Sequence, residues 1–81
     1  MSTISSSHVM STIENALKLQ PGTLLQDTDA QQIDGWDSIG QLTILVALDN
    51  LFDGKIANIP EIAGADSVNK IFTILRNQAL L

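Results

Sequence analysis

The segment between Asp37 and Phe52 limits most strongly how this chain can fold. Its apolar residues recur three and four positions apart, which is the period of a helix, and Asp53-Gly54 follows as a terminator. No segment of the chain shows the strict alternation of a half-buried strand, and no Asn-Gly hairpin turn occurs. The sequence therefore predicts an all-α fold in which the longest helix covers 37–52.

The N-terminal part of the chain predicts a first helix and then a long loop. One of the serines 5–7 is expected to cap this helix and Pro21-Gly22 to close it, while residues 1–7 are expected to be flexible. The apolar residues at helical spacing are Val9, Met10, Ile13, Ala16 and Leu17. The connection from Gln20 to Trp36 is long for so small a domain, which indicates a loop that is functional or pinned by its own side chains. The expected pins are Leu24, Leu25, Ile33 and Trp36.

The C-terminal part predicts a short helical piece and a further main helix. The short piece is expected around 58–62, because Pro60 suits a first helical turn better than a helix interior. The last helix is expected to start at Asp66 or Ser67. Its apolar residues at helical spacing are Val68, Ile71, Phe72, Leu75 and Ala79. The expected fold is thus a small bundle of three main helices plus one short helix, with the long loop between helices one and two.

Composition narrows the classes of protein to which the chain can belong. Its 81 residues suit a single domain, 1–81, and a content of 44% apolar residues is too high for a disordered chain, while no apolar run is long enough to cross a bilayer. Four basic residues stand against nine acidic ones, and the net charge of −5 argues against nucleic acid as a partner. There is no cysteine, so any thiol chemistry must come from outside the protein. The N-terminus lacks the features of a secretory signal, and we expect a soluble, cytoplasmic monomer.

The predicted second helix has more apolar residues than one face can hold. The stripe that suits the core consists of Ile44, Leu45, Leu48, Leu51 and Phe52. A second stripe, on a different face, consists of Ile39, Leu42 and Val46. An exposed apolar row beside polar and charged residues, here Asp49 and Asn50, is typical of an interaction surface. The alternative is that the long loop covers the second stripe and that both stripes belong to the core.

Ser38 follows the turn Gly35-Trp36 and stands at the start of the longest helix. The start of a helix has unpaired backbone N–H groups and a partial positive charge, so it favours a phosphate group. A phosphodiester on Ser38 would therefore be stabilised at this point. The alternative is that Asp37 or Ser38 serves only as the N-cap of the helix.

The tripeptide Asp37-Ser38-Ile39 resembles the Asp-Ser-Leu motif of acyl and peptidyl carrier proteins. The resemblance covers nearly the whole chain, from about residue 9 to residue 80, and implies an acyl-carrier-like helical bundle. The surroundings that carry it are a preceding helix, a loop with Asp27-Thr28-Asp29 and Gly35-Trp36, an apolar helix ending in Leu48-Asp49-Asn50-Leu51-Phe52-Asp53, and a closing helix led by Asp66-Ser67-Val68.

The resemblance implies that a phosphopantetheinyl transferase, using coenzyme A and magnesium, attaches a 4'-phosphopantetheine arm to Ser38. Asp37 matches the acidic neighbour that the family associates with this metal-dependent step. The arm ends in a thiol, which would carry acyl or aminoacyl groups as thioesters from a ligase to a downstream synthase or acyltransferase. Docking of these partner enzymes is implied for Ile39, Leu42 and Val46, with charge supplied by Asp49.

The chain departs from fatty-acid-synthase carriers along the second helix. Those carriers usually have acidic residues at positions where this chain has Gly40, Thr43, Asn50 and Leu51. Partner docking should therefore depend more on apolar contact and less on salt bridges. This difference favours a stand-alone carrier dedicated to a specialised lipid, polyketide or aminoacyl pathway over a housekeeping fatty-acid carrier.

Enzymatic roles for Ser38 are not expected. The segment 35–40 is not a Gly-x-Ser-x-Gly elbow, no strand precedes it, and the single histidine, His8, lies at the start of the first helix. A calcium loop at 27–29 is also not expected, because the glycine and the closing glutamate that such a loop needs are missing. The remaining rival is a non-enzymatic helical interaction module in which Ser38 is only an N-cap.

Overall fold

The computed structural model describes residues 4–81 and contains three α-helices. These helices are α1 (Ser6–Ala16), α2 (Ser38–Leu51) and α3 (Val68–Asn77). Short 3₁₀-helices lie in the connections, at Ala30–Gln32, Ile56–Asn58 and Pro60–Gly64. Within residues 4–81 the only β-type pairing is an isolated bridge between Asp29 and Ser67. The predicted all-α fold is confirmed, and Pro60 begins a short helix as expected. The expected number of short helices, one, is wrong, because turns in the long loop and directly after α2 are also 3₁₀-helical.

The described part of the chain begins two residues before the first helix. Of the segment 1–7, residues 1–3 lie outside the described residues, while residues 6 and 7 form the first turn of α1. The described part of the chain measures 34 × 24 × 19 Å. None of its helices has the length and the apolar character needed to cross a membrane.

The outer two α-helices each begin at a serine whose side chain accepts a hydrogen bond from the first turn. Ser5 caps α1 by accepting from the amide of His8 at 3.1 Å. Ser67 caps α3 by accepting from the amide of Lys70 at 3.1 Å. Both predicted helix starts are therefore confirmed. Ser5 is one of the three serines expected to cap α1, and Ser67 is one of the two residues expected to start α3.

All three α-helices end in the same backbone motif. A residue with left-handed backbone follows each C-cap, and these residues are Lys18 (φ 59°), Asp53 (φ 57°) and Ala79 (φ 59°). The next amide then donates to a carbonyl five residues earlier, as Leu19 does to Glu14 at 2.8 Å. The expected closure of helix one at Pro21-Gly22 is wrong, because this motif already ends α1 at Ala16. For the same reason Ala79 lies outside α3, which ends at Asn77.

The core lies between the three α-helices and the short helices that follow α2. Its largest fully buried side chains are Phe72, Ile13, Ile44, Leu48, Ile71, Leu75, Val9 and Val68. Arg76 covers one edge of this core, with its guanidinium carbon 5.7 Å from the centre of the Phe72 ring. The apolar faces predicted for the three helices therefore meet in one core.

A buried carboxylate in α1 holds the first part of the long loop. Glu14 is buried, and its Oε2 accepts hydrogen bonds from the amide of Gly22 at 2.9 Å and from the amide of Leu24 at 3.1 Å. These bonds satisfy the carboxylate inside the protein, which makes its burial tolerable. The sequence placed Glu14 among the polar residues between the apolar positions of helix one and gave no sign of this role.

The middle of the loop is joined to the start of α3 by two backbone hydrogen bonds. The amide of Ala30 donates to the carbonyl of Asp66 at 2.8 Å, and the amide of Val68 donates to the carbonyl of Thr28 at 2.9 Å. The loop and the start of α3 are therefore held together, which fixes the position of the loop before it leads into α2.

The apolar pins expected in the loop are confirmed with one exception. Leu24 and Trp36 are buried, and Ile33 packs against the core while partly exposed. Leu25 is 62% exposed, so its assignment as a pin is wrong. The reason is a local turn in which the buried Thr28 hydroxyl accepts from the amide of Leu25 at 2.9 Å and Leu25 is left facing solvent.

Candidate functional site

Three apolar side chains on α2 are exposed in a row, which we call the exposed row. Ile39, Leu42 and Val46 are 77%, 61% and 55% exposed. The opposite face of the same helix is buried in the core through Ile44 and Leu48. The alternative in which the loop covers the second stripe is therefore wrong, because all three side chains of that stripe are more than half exposed.

Ser38 is the first residue of α2 and is exposed to solvent. The N-cap is the preceding residue, Asp37, whose Oδ1 accepts from the amide of Gly40 at 2.9 Å. Of the two residues that the sequence offered as the N-cap, Asp37 is therefore the cap, and Ser38 is the first residue after it. The Ser38 side chain stands beside Ile39, the most exposed apolar side chain of the exposed row.

A glycine allows the loop to approach the first turn of α2. Gly40 is buried, and a Cβ atom placed on it would collide with the carbonyl oxygen of Gly35 and lie 3.0 Å from Cδ2 of Leu17. Gly35 itself has φ +91°, a backbone conformation that side-chain-bearing residues rarely adopt. The two glycines together fix the tight turn that presents Ser38.

An open groove of about 550 Å³ runs beside Ser38, and we call it the Ser38 groove. Its walls come from the loop, from the first two turns of α2 and from the connection before α3. The lining residues used below are Trp36, Ser38, Gln41, Leu42, Leu45 and Ala63. A group attached to the Ser38 hydroxyl would thus have a partly apolar surface next to it.

Gln41 links three parts of the chain at the base of this groove. Its Oε1 accepts from the indole N–H of Trp36 at 2.6 Å. Its Nε2 donates to the carbonyl oxygens of Ala65 at 3.0 Å, Ala63 at 3.3 Å and Ile62 at 3.4 Å. The sequence gave no sign of this role, since the carbonyl partners lie more than 20 residues away along the chain.

A second cavity, of about 320 Å³, lies further along α2. It separates the C-terminal half of α2 from the 3₁₀-helices 56–58 and 60–64, and Val46 of the exposed row lies at its edge. Asp49, a predicted docking residue, also lines it and accepts from the amide of Ala57 at 3.0 Å through Oδ1. Asp49 therefore helps to hold the segment after α2 in place, in addition to contributing charge to this surface.

One ion pair lies at the edge of the Ser38 groove. Lys70 Nζ is 2.8 Å from Asp66 Oδ1, and both side chains are exposed. The hydrogen bond and the charge of Lys70 lower the pKa of Asp66, and Asp66 in turn raises the pKa of Lys70. Because both side chains are exposed to water, this ion pair adds little to the free energy of unfolding.

Neither His8 nor the aspartates at 27 and 29 line the Ser38 groove. His8 lies in the first turn of α1 and is exposed, and it does not line the Ser38 groove. Among residues 4–81 no three His, Asp or Glu side chains lie close enough together to hold a metal ion. Asp29, from the loop weighed as a calcium site, instead caps the 3₁₀-helix at 30–32.

Comparison with known proteins gave no match. Neither a protein-family model, nor a curated protein, nor a solved structure matches this chain. Function must therefore be inferred from the residues and the geometry described above.

Proposed function

We propose that this chain is a carrier of the acyl carrier type, with Ser38 as the attachment point of a 4'-phosphopantetheine arm. The observation that carries the proposal is the exposure of Ser38 at the first position of a 14-residue helix, next to an exposed apolar row on the same helix. A serine buried in the bundle would have ruled the proposal out. The helical fold around it supports an acyl-carrier-like bundle.

The residues around Ser38 fit a phosphodiester. The first amides of a helix have no carbonyl partner within the helix, and the positive end of the helix dipole favours an anion there. Asp37 uses Oδ1 to cap the helix, so it holds the first turn in the shape that presents the hydroxyl. The Ser38 groove would lie alongside the arm, whose thiol supplies the thioester chemistry that a cysteine-free chain lacks.

The exposed row supports docking of several partner enzymes on one surface. A phosphopantetheinyl transferase, an acyl or aminoacyl ligase and a downstream synthase or acyltransferase would all need to reach Ser38. Ile39, Leu42 and Val46 offer each of them apolar contact area next to that residue. We therefore propose docking in which apolar contact outweighs charge, as expected for a carrier in a specialised pathway.

The proposal predicts one modification at one residue. Incubation of the full chain with coenzyme A, magnesium and a broad-specificity transferase should raise the intact mass by one phosphopantetheine group. Ser38→Ala should abolish the gain, whereas Ser11→Ala, which changes another exposed serine, should leave it intact. Intact-mass spectrometry measures all three.

The opposite result would support the rival class of function. If several transferases leave the mass of the folded wild-type chain unchanged, the carrier proposal fails and a helical interaction module becomes the better explanation of the exposed row. A gain that persists in Ser38→Ala would show that another residue is modified.

A further inference from the structure

The orientation of the Gln41 side chain is fixed by the chemistry of its partners. The indole N–H of Trp36 can only donate, so the atom that faces it must be the amide oxygen. Backbone carbonyls can only accept, so the atom that faces Ala63 and Ala65 must be the amide nitrogen. Both ends of the amide are thus engaged within the protein.

These bonds close the seam between α2 and residues 62–65. The seam lies next to Ser38, because Gln41 is one turn after it on the same helix. Leu45 and Ala63 line both the Ser38 groove and the second cavity, so the two spaces meet on this side of α2. An apolar chain that moved from the groove into the bundle would have to separate Gln41 from the carbonyls of 62–65.

We propose that Gln41 is a specificity-determining residue that keeps short acyl groups in the Ser38 groove and out of the bundle. The inference rests on the carrier function proposed above and goes beyond it, because it states where the cargo lies and which residue decides this. Gln41 contributes no covalent chemistry. It sets the length of apolar chain that is needed to open the seam.

A comparison of two free energies explains why the length of the acyl chain decides whether it enters the bundle. Each methylene that leaves water contributes about as much free energy as one ordinary hydrogen bond contributes net. Opening the seam separates Nε2, whose two N–H groups are shared among three carbonyls, from these acceptors, two of which lie at long hydrogen-bond distances, and leaves the polar groups unpaired. Polar groups left unpaired each cost more than an ordinary hydrogen bond contributes net. A chain must therefore bury more than roughly four methylenes, the number in a hexanoyl group, before its entry is favourable, and acetyl and hexanoyl groups stay outside.

Two substitutions of Gln41 distinguish the hydrogen bonds of its amide group from the packing of its apolar stem. Gln41→Glu keeps an oxygen for Trp36 but places a second oxygen opposite the carbonyls of 62–65, so it repels that segment. Gln41→Met keeps the length and the apolar stem without any hydrogen bond. Gln78→Glu is the matched control, because Gln78 is exposed beyond α3 and the substitution makes the same change of charge.

The first measurement uses the unmodified full chain. The amides of Ile62 and Ala65 lie in the segment that Gln41 holds, and both donate hydrogen bonds within it, to Ile59 and Ile62. Their hydrogen exchange should be roughly tenfold faster in Gln41→Glu and Gln41→Met than in the wild type. Gln78→Glu should exchange as the wild type does, and circular dichroism shows that each variant retains its helices.

The second measurement compares two cargoes on Ser38. The chain is loaded from acetyl-coenzyme A and from hexanoyl-coenzyme A, and cleavage of each thioester by hydroxylamine is followed by intact mass. Rates are divided by those of the corresponding free coenzyme A thioesters. The hexanoyl and acetyl groups should be cleaved at similar relative rates in the Gln78→Glu control, whereas the hexanoyl group should be protected several-fold more in Gln41→Glu and Gln41→Met than in that control.

The outcomes distinguish the two proposals. Failure of wild-type loading overturns the carrier function and the role of Gln41 with it. Successful loading with equal protection of the hexanoyl group in all variants overturns the role of Gln41 alone. Unchanged exchange at Ile62 and Ala65 in both Gln41 variants overturns it as well, because the seam would then be held by other contacts.

Discussion

The two faces of α2 carry the same kinds of residue in opposite environments. Leu48 on one face is fully buried, whereas Leu42 on the other is 61% exposed. Hydrophobicity alone therefore does not distinguish a core residue from a surface residue on this helix. The difference arises from the neighbours: α1 and the core side chains of α3 cover one face, and no element within residues 4–81 covers the other.

The exposed row is therefore not needed to hold the bundle together. A small domain already buries its core through three helices, so additional exposed leucine and isoleucine side chains favour association without adding stability. The exposed row is therefore available for contacts outside the chain. Substitutions on each face of α2 test this difference.

The largest effect is expected for the same substitution made on the two faces. Leu48→Ala removes a fully buried side chain and should lower the free energy of unfolding by about 2–5 kcal/mol. Leu42→Ala should change it by less than about 0.5 kcal/mol, because that side chain already faces water. Urea denaturation of both variants measures the difference. Equal losses would show that the row is part of the core.

A smaller loss of stability is expected for a glycine-to-alanine substitution in the first turn of α2, where such a substitution would usually stabilise the helix. Replacing a helical glycine by alanine normally stabilises a helix, but a Cβ on Gly40 would collide with the carbonyl of Gly35. Gly40→Ala should therefore lower the free energy of unfolding by about 1–3 kcal/mol. Gly64→Ala is the matched control, because a Cβ there meets no atom within 4 Å. Stabilisation by Gly40→Ala would mean that the loop moves freely away from α2.

The smallest effect on stability, and a large one on function, is expected within the exposed row. Val46→Glu should leave the helical circular dichroism and the melting temperature nearly unchanged, since Val46 is more than half exposed. It should slow modification of Ser38 or transfer of its cargo, because a charge replaces apolar contact area. Thr43→Glu, an exposed position on the same helix outside the row, should have less effect on the rate. Loss of fold in Val46→Glu would place Val46 in the core.

The parts of the fold that depend on neighbouring residues could be predicted from the sequence. The limits of α2 follow from the cap Asp37 and the terminator Asp53-Gly54, which act within a few residues. The exposure of its second stripe follows from counting apolar faces against the size of the domain. The exposed Ser38 follows from its place at the start of that helix.

The parts that depend on contacts distant along the chain could not be predicted. Glu14 binds backbone groups eight and ten residues away, and Gln41 reaches a carbonyl 24 residues away. Nothing local marks either residue, because a glutamate or a glutamine in a helix normally faces solvent. The early end of α1 was missed for a different reason, since Lys18 adopts a backbone conformation for which glycine is the usual signal.

The position of Trp36 has a practical consequence. The chain has one tryptophan and no tyrosine, so its ultraviolet emission comes from a single indole placed two residues before Ser38 and hydrogen-bonded to Gln41. The molecule thus carries an intrinsic fluorophore at its site, and changes in loop contact or in attached cargo should alter its emission without any added label.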